Sequence, residues 1–151
     1  MSFRKQVFNK VGLFDRHFGP GSVGCCADDV EFIYRALKKN TNIIICNDII
    51  IIHEHRKDTW EEFKLIYRDY KAHIIFWLKY IIQERDAFAF KNACTFLVKT
   101  TLSLFTELIT FNKYRIALQI VKAGGALVGL VKGMYIWLIL APIQTQCQKS
   151  A

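Results

Sequence analysis

NIIICNDIIIIHEHR, residues 42–56, decides how this chain is read. Two β-branched runs, Asn42–Cys46 and Ile49–Ile52, flank Asn47-Asp48, a turn signal, and predict two strands. The second run is uniformly isoleucine, as expected of a strand covered on both faces. His53 stands where that strand emerges, and polar residues at the carboxyl ends of strands in open α/β sheets commonly line ligand crevices. As a His-x-His pair, His53 and His55 are a weak metal signal, since two ligands leave a zinc site unfinished.

Upstream, Phe3 to Val11 is an amphipathic helix with Phe3, Val7, Phe8 and Val11 on one side. Gly12 ends it, as a residue able to take a left-handed conformation would. Phe18-Gly19-Pro20-Gly21-Ser22-Val23-Gly24 reads as a loop, suited to closing over a ligand or simply to connecting. A second helix begins at Ala27 or Asp28 and ends near Lys39-Asn40, with Val30, Ile33, Tyr34 and Leu37 facing the core. Acids in its first turn and lysines in its last suit the helix dipole. Asp28 as an N-cap accounts for one of the paired aspartates and leaves Asp29 unexplained.

Downstream the character changes. Thr59-Trp60-Glu61-Glu62 matches a capping box and opens a long helix to about Glu84. Trp60, Phe63, Tyr67, Tyr70, Ile74, Trp77 and Ile81 form one stripe, and Lys64, Arg68, Lys71 and Lys79 place charge elsewhere. Further helices are expected over Phe88–Phe111 and from Lys113 to about Leu140, with Asn112 as a cap and Pro142 as a stop. Ala126 to Ile143 is apolar except for Lys132, at the lower limit of length for crossing a bilayer. A central lysine opposes insertion by about 2.5–3.5 kcal/mol. Helices lying on a membrane, or packed on one another, are the favoured reading.

Composition supports that division. The 151 residues carry 21 Lys and Arg against 13 Asp and Glu, a formal charge of +8. Residues 1–55 hold seven basic and six acidic side chains (7 − 6 = +1), and 56–151 hold fourteen and seven (14 − 7 = +7). Basic and apolar character together in one half point to an anionic membrane surface more than to nucleic acid. Cys25, Cys26, Cys46, Cys94 and Cys147 show neither CxxC spacing nor an obvious pairing, and no N-terminal signal segment is read before them, so a reduced, cytoplasmic setting is expected, with the basic, apolar half at the inner face of a membrane. Cys25-Cys26, beside the acidic pair, reads as a reactive pair or as small hydrophobes lining a core.

Met1-Ser2-Phe3-Arg4-Lys5, Val7-Phe8, Val11-Gly12, Phe14-Asp15, Phe18–Gly21, Asp28-Asp29-Val30-Glu31-Phe32, Tyr34-Arg35 and His53-Glu54-His55-Arg56 follow one another in a recognisable order. Together they resemble the C-terminal half of the catalytic domain of family 2 glycosyltransferases. That resemblance implies an α/β architecture: a GT-A catalytic portion over residues 1–56, with 57–151 as a basic helical extension. It implies sugar transfer from a nucleotide-sugar donor to a saccharide or lipid-linked acceptor, with Asp29 as general base and Asp28 beside it. Gly19, Pro20 and Gly21 would border the acceptor. His53, with His55 as fallback, would help hold a divalent metal, Mg or Mn, in the complete enzyme.

The chemistry fits those residue types. An attacking hydroxyl needs a carboxylate to take its proton, and a metal offsets charge growing on a departing diphosphate. The family's nucleotide-binding half and its Asp-x-Asp motif have no counterpart here, so the chain is expected to be half an active site and inactive alone. Two other classes compete with that reading. One is a non-catalytic, membrane-peripheral interaction protein. The other is a metal-dependent hydrolase using Asp28, Asp29, His53 and His55.

Overall fold

A computed structural model describes residues 2–45, 48, 50, 52 and 58–140. Its elements are α1 (Lys5–Val11), α2 (Asp28–Lys38), α3 (Thr59–Glu84), α4 (Ala87–Thr110) and α5 (Lys113–Met134). A π-helical segment, Tyr135–Leu140, continues α5.

The long helix α3 is the centre of the molecule. It packs on α4, on the π-helical segment and, most extensively, on α5. Ala72, Ile75, Phe76 and Tyr80 are fully buried along it and join Phe18, Ala27, Ala89, Ile136 and Trp137 in one core. A second small core holds Val11, Phe32 and Ala36, with Phe3, Val7 and Phe8 packed against it. That second core is α1 on α2, as the spacing of Phe3, Val7, Phe8 and Val11 predicts. Gly12 closes α1 with φ +91°, and its amide donates to the Phe8 carbonyl at 2.9 Å.

Three caps follow one rule: a short polar side chain accepts from the first free amides of a helix. Asn112 accepts from Arg115 N, as expected, and Asp86 accepts from Phe88 N and Ala89 N. For α3 the cap is Asp58, accepting from Trp60 N, one residue before the expected Thr59. The hairpin turns after α3 and α4 rest on Arg85 (φ 51°) and Phe111 (φ 52°) in the left-handed region.

The α/β expectation is overturned. Among the described residues there is no strand. Asn42–Ile45 is irregular, Asp48 lies in a turn, and Ile50 and Ile52 take no regular structure. Ile44, Ile45, Ile50 and Ile52 are each more than 80% exposed. A strand exists only through backbone bonding to a neighbour, and no described element offers that run an edge. β-branched composition without a partner backbone does not make a sheet.

The buried face of α2 is rotated from the expected one. Val30 and Leu37 are exposed, while Glu31, Phe32 and Ala36 are buried. In α3, likewise, Trp60 from the predicted stripe is exposed, and Lys71, assigned to the charged side, is buried. In α2 the ionic contacts of Glu31, described next, outweigh hydrophobic periodicity.

Candidate functional site

Of the residues expected in the site, Gly19 and Asp28 lie together, and Pro20, Gly21 and Asp29 are exposed. Asp28 opens α2 but does not cap it. Ala27, in the left-handed region with no side-chain bond, holds the cap position. Asp29 is exposed, and its carboxylate accepts the adjacent Val30 amide at 2.8 Å. Of the acceptor loop, only Gly19 meets the pair: a methyl placed on it would lie 3.6 Å from the Asp28 carboxyl. Pro20 and Gly21 face solvent. His53 and His55 lie outside the described residues, and no group of three metal-ligating side chains occurs among the described ones.

The concentrated charge lies next to that loop. Glu31, with no exposed surface, accepts from Arg35 at 2.9 Å, from the Tyr80 hydroxyl at 2.9 Å and from the Lys79 ammonium. Lys79 also donates to Asp15 at 2.8 Å, and the His17 ring nitrogen meets the other Asp15 oxygen at 2.8 Å. Arg35 reaches on to the carbonyls of Val11 and Leu13. The network ties the end of α1, the loop after it, α2 and α3 into one unit. Trp137 seals it: its ring lies 5.1 Å from His17, and its indole donates to the Ile75 carbonyl at 2.9 Å.

The electrostatics are those of an internal tie. Burial opposes ionisation of Asp15, but hydrogen bonds and charge from Lys79, with help from His17, hold its pKa down at about 2. Burial and then Glu31 push the Tyr80 hydroxyl upward, keeping it a donor. The Lys38 hydrogen bond holds Asp86 at about 2, where Asp86 also accepts from Tyr34. A carboxyl lowered on folding stabilises above its unfolded pKa, and that stability disappears as pH falls through the folded value. Conformational stability is therefore expected to decline between about pH 4 and pH 2. Urea midpoints measured across that range check it, and Asp15→Asn should flatten part of the slope.

The cysteine pair divides its roles. Cys26 packs against the main core and donates to Asp69 at 3.4 Å. Burial, then Asp69, pushes its thiol up to about 12. Lys71, buried on α3, donates to Cys25 Sγ at 2.6 Å.

A different surface dominates the second half. Along α4, Val98, Leu102, Phe105 and Ile109 recur at i, i+4, i+7 and i+11, and all are exposed. Along α5 and its extension, Ile120, Leu127, Val131, Met134 and Leu138 form a second exposed stripe. Lys113–Leu140 is long and apolar enough to cross a membrane by length and composition, with a third of its most apolar window buried. Between α3, α4 and α5 lies an apolar cleft of about 240 Å³.

Gly125, Gly129 and Gly133, one every four residues, let α5 approach α3 closely. A methyl on Gly125 would stand 2.5 Å from the Tyr67 carbonyl oxygen, and one on Gly129 would stand 2.6 Å from that of Lys71. The repeat is plain in the sequence and is a known signature of close helix contact.

No protein-family model matches the sequence, and no curated protein or solved structure is significantly similar to it. The resemblance to family 2 glycosyltransferases is therefore corrected: no family match supports it, and a chain without strands among its described residues does not fit a GT-A portion. The motif order that carried it falls mostly on helix caps, loop turns and the Glu31 network, features that a helical fold also requires. Sequence reading placed none of Glu31, Lys79 or Asp15 in a site. For Glu31 and Lys79 the signal, a charged residue on an otherwise apolar helix face, is visible only once the buried faces of α2 and α3 are known, and Asp15 lies in the loop after α1.

Proposed function

We propose that this chain is a non-catalytic, membrane-peripheral helical module that docks on anionic lipid through α4 and α5. The observation carrying the reading is the pair of exposed apolar stripes, Val98-Leu102-Phe105-Ile109 and Ile120-Leu127-Val131-Met134-Leu138. Exposed apolar surface of this extent on neighbouring helices marks an interaction face. The charge pattern selects the partner. Residues 87–140 contain six basic side chains and one acid, Glu107, so an anionic surface is attracted where a neutral one is not.

A helix lying in the interface suits the packing better than one crossing it. One side of α5 is held against α3 by its glycines, and Lys132 sits within its apolar half. Sugar transfer rested on the family resemblance and is left without that support.

Vesicle flotation tests the proposal. The full chain should float with phosphatidylglycerol-containing vesicles, much less with neutral ones, and less as salt rises, because screening shortens the reach of exposed charge. Phe105→Glu should weaken binding about tenfold or more. Burying a phenylalanine is worth about 1.5–3 kcal/mol, and each 1.4 kcal/mol is tenfold. Equal flotation with neutral and anionic vesicles, or no effect of Phe105→Glu, defeats it.

A further inference from the structure

The cleft between α3, α4 and α5 has a narrower chemistry than the stripes beside it. Ile74 and Ala126 are buried in it, and Leu97, Leu127 and Leu130 stand partly exposed at its edge. Thr100 and Thr101 also line it, but their hydroxyls donate to the Phe96 and Leu97 carbonyls of their own helix at 2.8 and 2.9 Å. None of its lining side chains is ionisable. A sugar, nucleotide or peptide backbone placed there would leave its polar groups unpaired, whereas hydrocarbon loses nothing. At about 240 Å³ the space exceeds the roughly 150 Å³ of an apolar cavity that stays dry and takes up benzene.

One end of the cleft is marked by polarity. A turn beyond Ala123 and Thr100, Gln119 on α5 donates to Ser103 on α4 at 2.6 Å. Gln119 is only 4% exposed, and its Oε1 has no hydrogen-bond partner. Lys122 adjoins Ala123, its ammonium 5.7 Å from the centre of the Tyr70 ring, and Lys113 and Arg115, the latter paired with Glu107 at 3.6 Å, lie further along the same end of α5. A buried acceptor therefore stands at one end of a hydrocarbon-lined cleft, with the cations of Lys122, Lys113 and Arg115 on the same end of α5.

We infer that this cleft holds one acyl chain of an anionic phospholipid, its headgroup end toward Gln119 and Lys122, where headgroup hydroxyls such as those of phosphatidylglycerol can donate to the unpaired Gln119 oxygen. The inference rests on the membrane-docking reading and adds a discrete lipid site to it. It makes the protein a binder of one lipid molecule, distinct from a surface that merely partitions into the bilayer.

Photolabelling tests it with the full chain. Phosphatidylglycerol carrying a diazirine on its acyl chain is incorporated into vesicles, irradiated with the protein, and the labelled residues are mapped by mass spectrometry. Label should concentrate on Leu97, Leu127 and Leu130. Thr101→Trp and, separately, Ala123→Leu fill the cleft and should cut that label about tenfold, with flotation and circular dichroism unchanged. Label spread evenly along both stripes, or unaffected by both fillings, overturns the lipid site while leaving docking intact. The same residues labelled by a free diazirine fatty acid without vesicles, but not by the phospholipid, would overturn the assignment to a membrane lipid. Absent flotation with retained cleft labelling by dispersed phosphatidylglycerol would defeat the docking reading and spare the site.

Discussion

Replacing Gly129 with alanine is expected to cost about 3 kcal/mol or more, although the change adds one methyl group and favours helix. The methyl would meet the Lys71 carbonyl oxygen at 2.6 Å and Ile74 Cβ at 3.0 Å. Optimal contact lies near 3.5–4.0 Å, so α5 must move away from α3 along its length. Forced overpacking of this kind usually costs about 1–3 kcal/mol, and more where backbone must shift. Gly125→Ala should behave similarly, because its obstacle is also a backbone oxygen. At Gly133 the nearest atom, Cδ1 of Leu78 at 2.6 Å, is the end of a flexible side chain and the nearest backbone atom, Ile75 Cα, stands at 3.3 Å, so the penalty should be smaller than at Gly129. Gly124 provides the control: its nearest neighbour would be 3.9 Å away, and alanine there should stabilise by about 0.8–1 kcal/mol through helix propensity. Urea unfolding followed by circular dichroism separates these outcomes. Equal midpoints for the alanines at 124 and 129 would show that the α3–α5 contact is looser than described.

Glu31→Ala should be comparably severe, at about 3–5 kcal/mol, because it strands Lys79 and Arg35 in a buried setting without their shared carboxylate. Tyr80 loses its acceptor at the same time. Glu31→Gln keeps the shape and one acceptor oxygen but not the charge, and should fall between alanine and the native chain. Removing both partners distinguishes a tie from a misfit. In Glu31→Ala with Lys79→Met, the combined loss should fall short of the sum of the two single losses, since the Lys79–Glu31 contact can be lost only once, while Asp15, left without Lys79, keeps the double variant below the native chain. Strict additivity of the two single losses would mean that the pair is not coupled.

These two regions also show what the sequence discloses and what it hides. The helices of the second half were legible because long apolar runs and the Asn112 cap are local signals, as the Gly12 stop is for α1. Glu84 as the end of α3 was found within a residue for the same reason. The strands expected over 42–52, of which Cys46, Asn47, Ile49 and Ile51 lie outside the described residues, have no described counterpart because β-branched composition reports what a segment fits, while a sheet also requires a partner backbone elsewhere. The face of α2 was misread because moment arguments place charge outside. Glu31 is held inside by Lys79 and Tyr80, 48 and 49 residues away, and no local pattern contains that fact. The exposed stripes were half legible: the two helices and the apolar run from Ala126 were read, but which of their apolar residues face a neighbour and which the surroundings is decided by packing. The glycine repeat was the available clue to which side of α5 turns inward.

The chain order of the main interface has a consequence for biosynthesis. The surface of α3 between Tyr67 and Leu78 is covered by α5, and α4 intervenes in the sequence. At about 5–20 residues per second, translation from the end of α3 to the end of α5 takes on the order of 3–10 seconds. During that interval the newly made α3 waits with its groove open, and the earlier isoleucine segment has already left the ribosome. The nascent protein is thus most vulnerable in the middle of its own synthesis. Slow codons within α4 would prolong the exposure, whereas fast passage to Gly133 would end it.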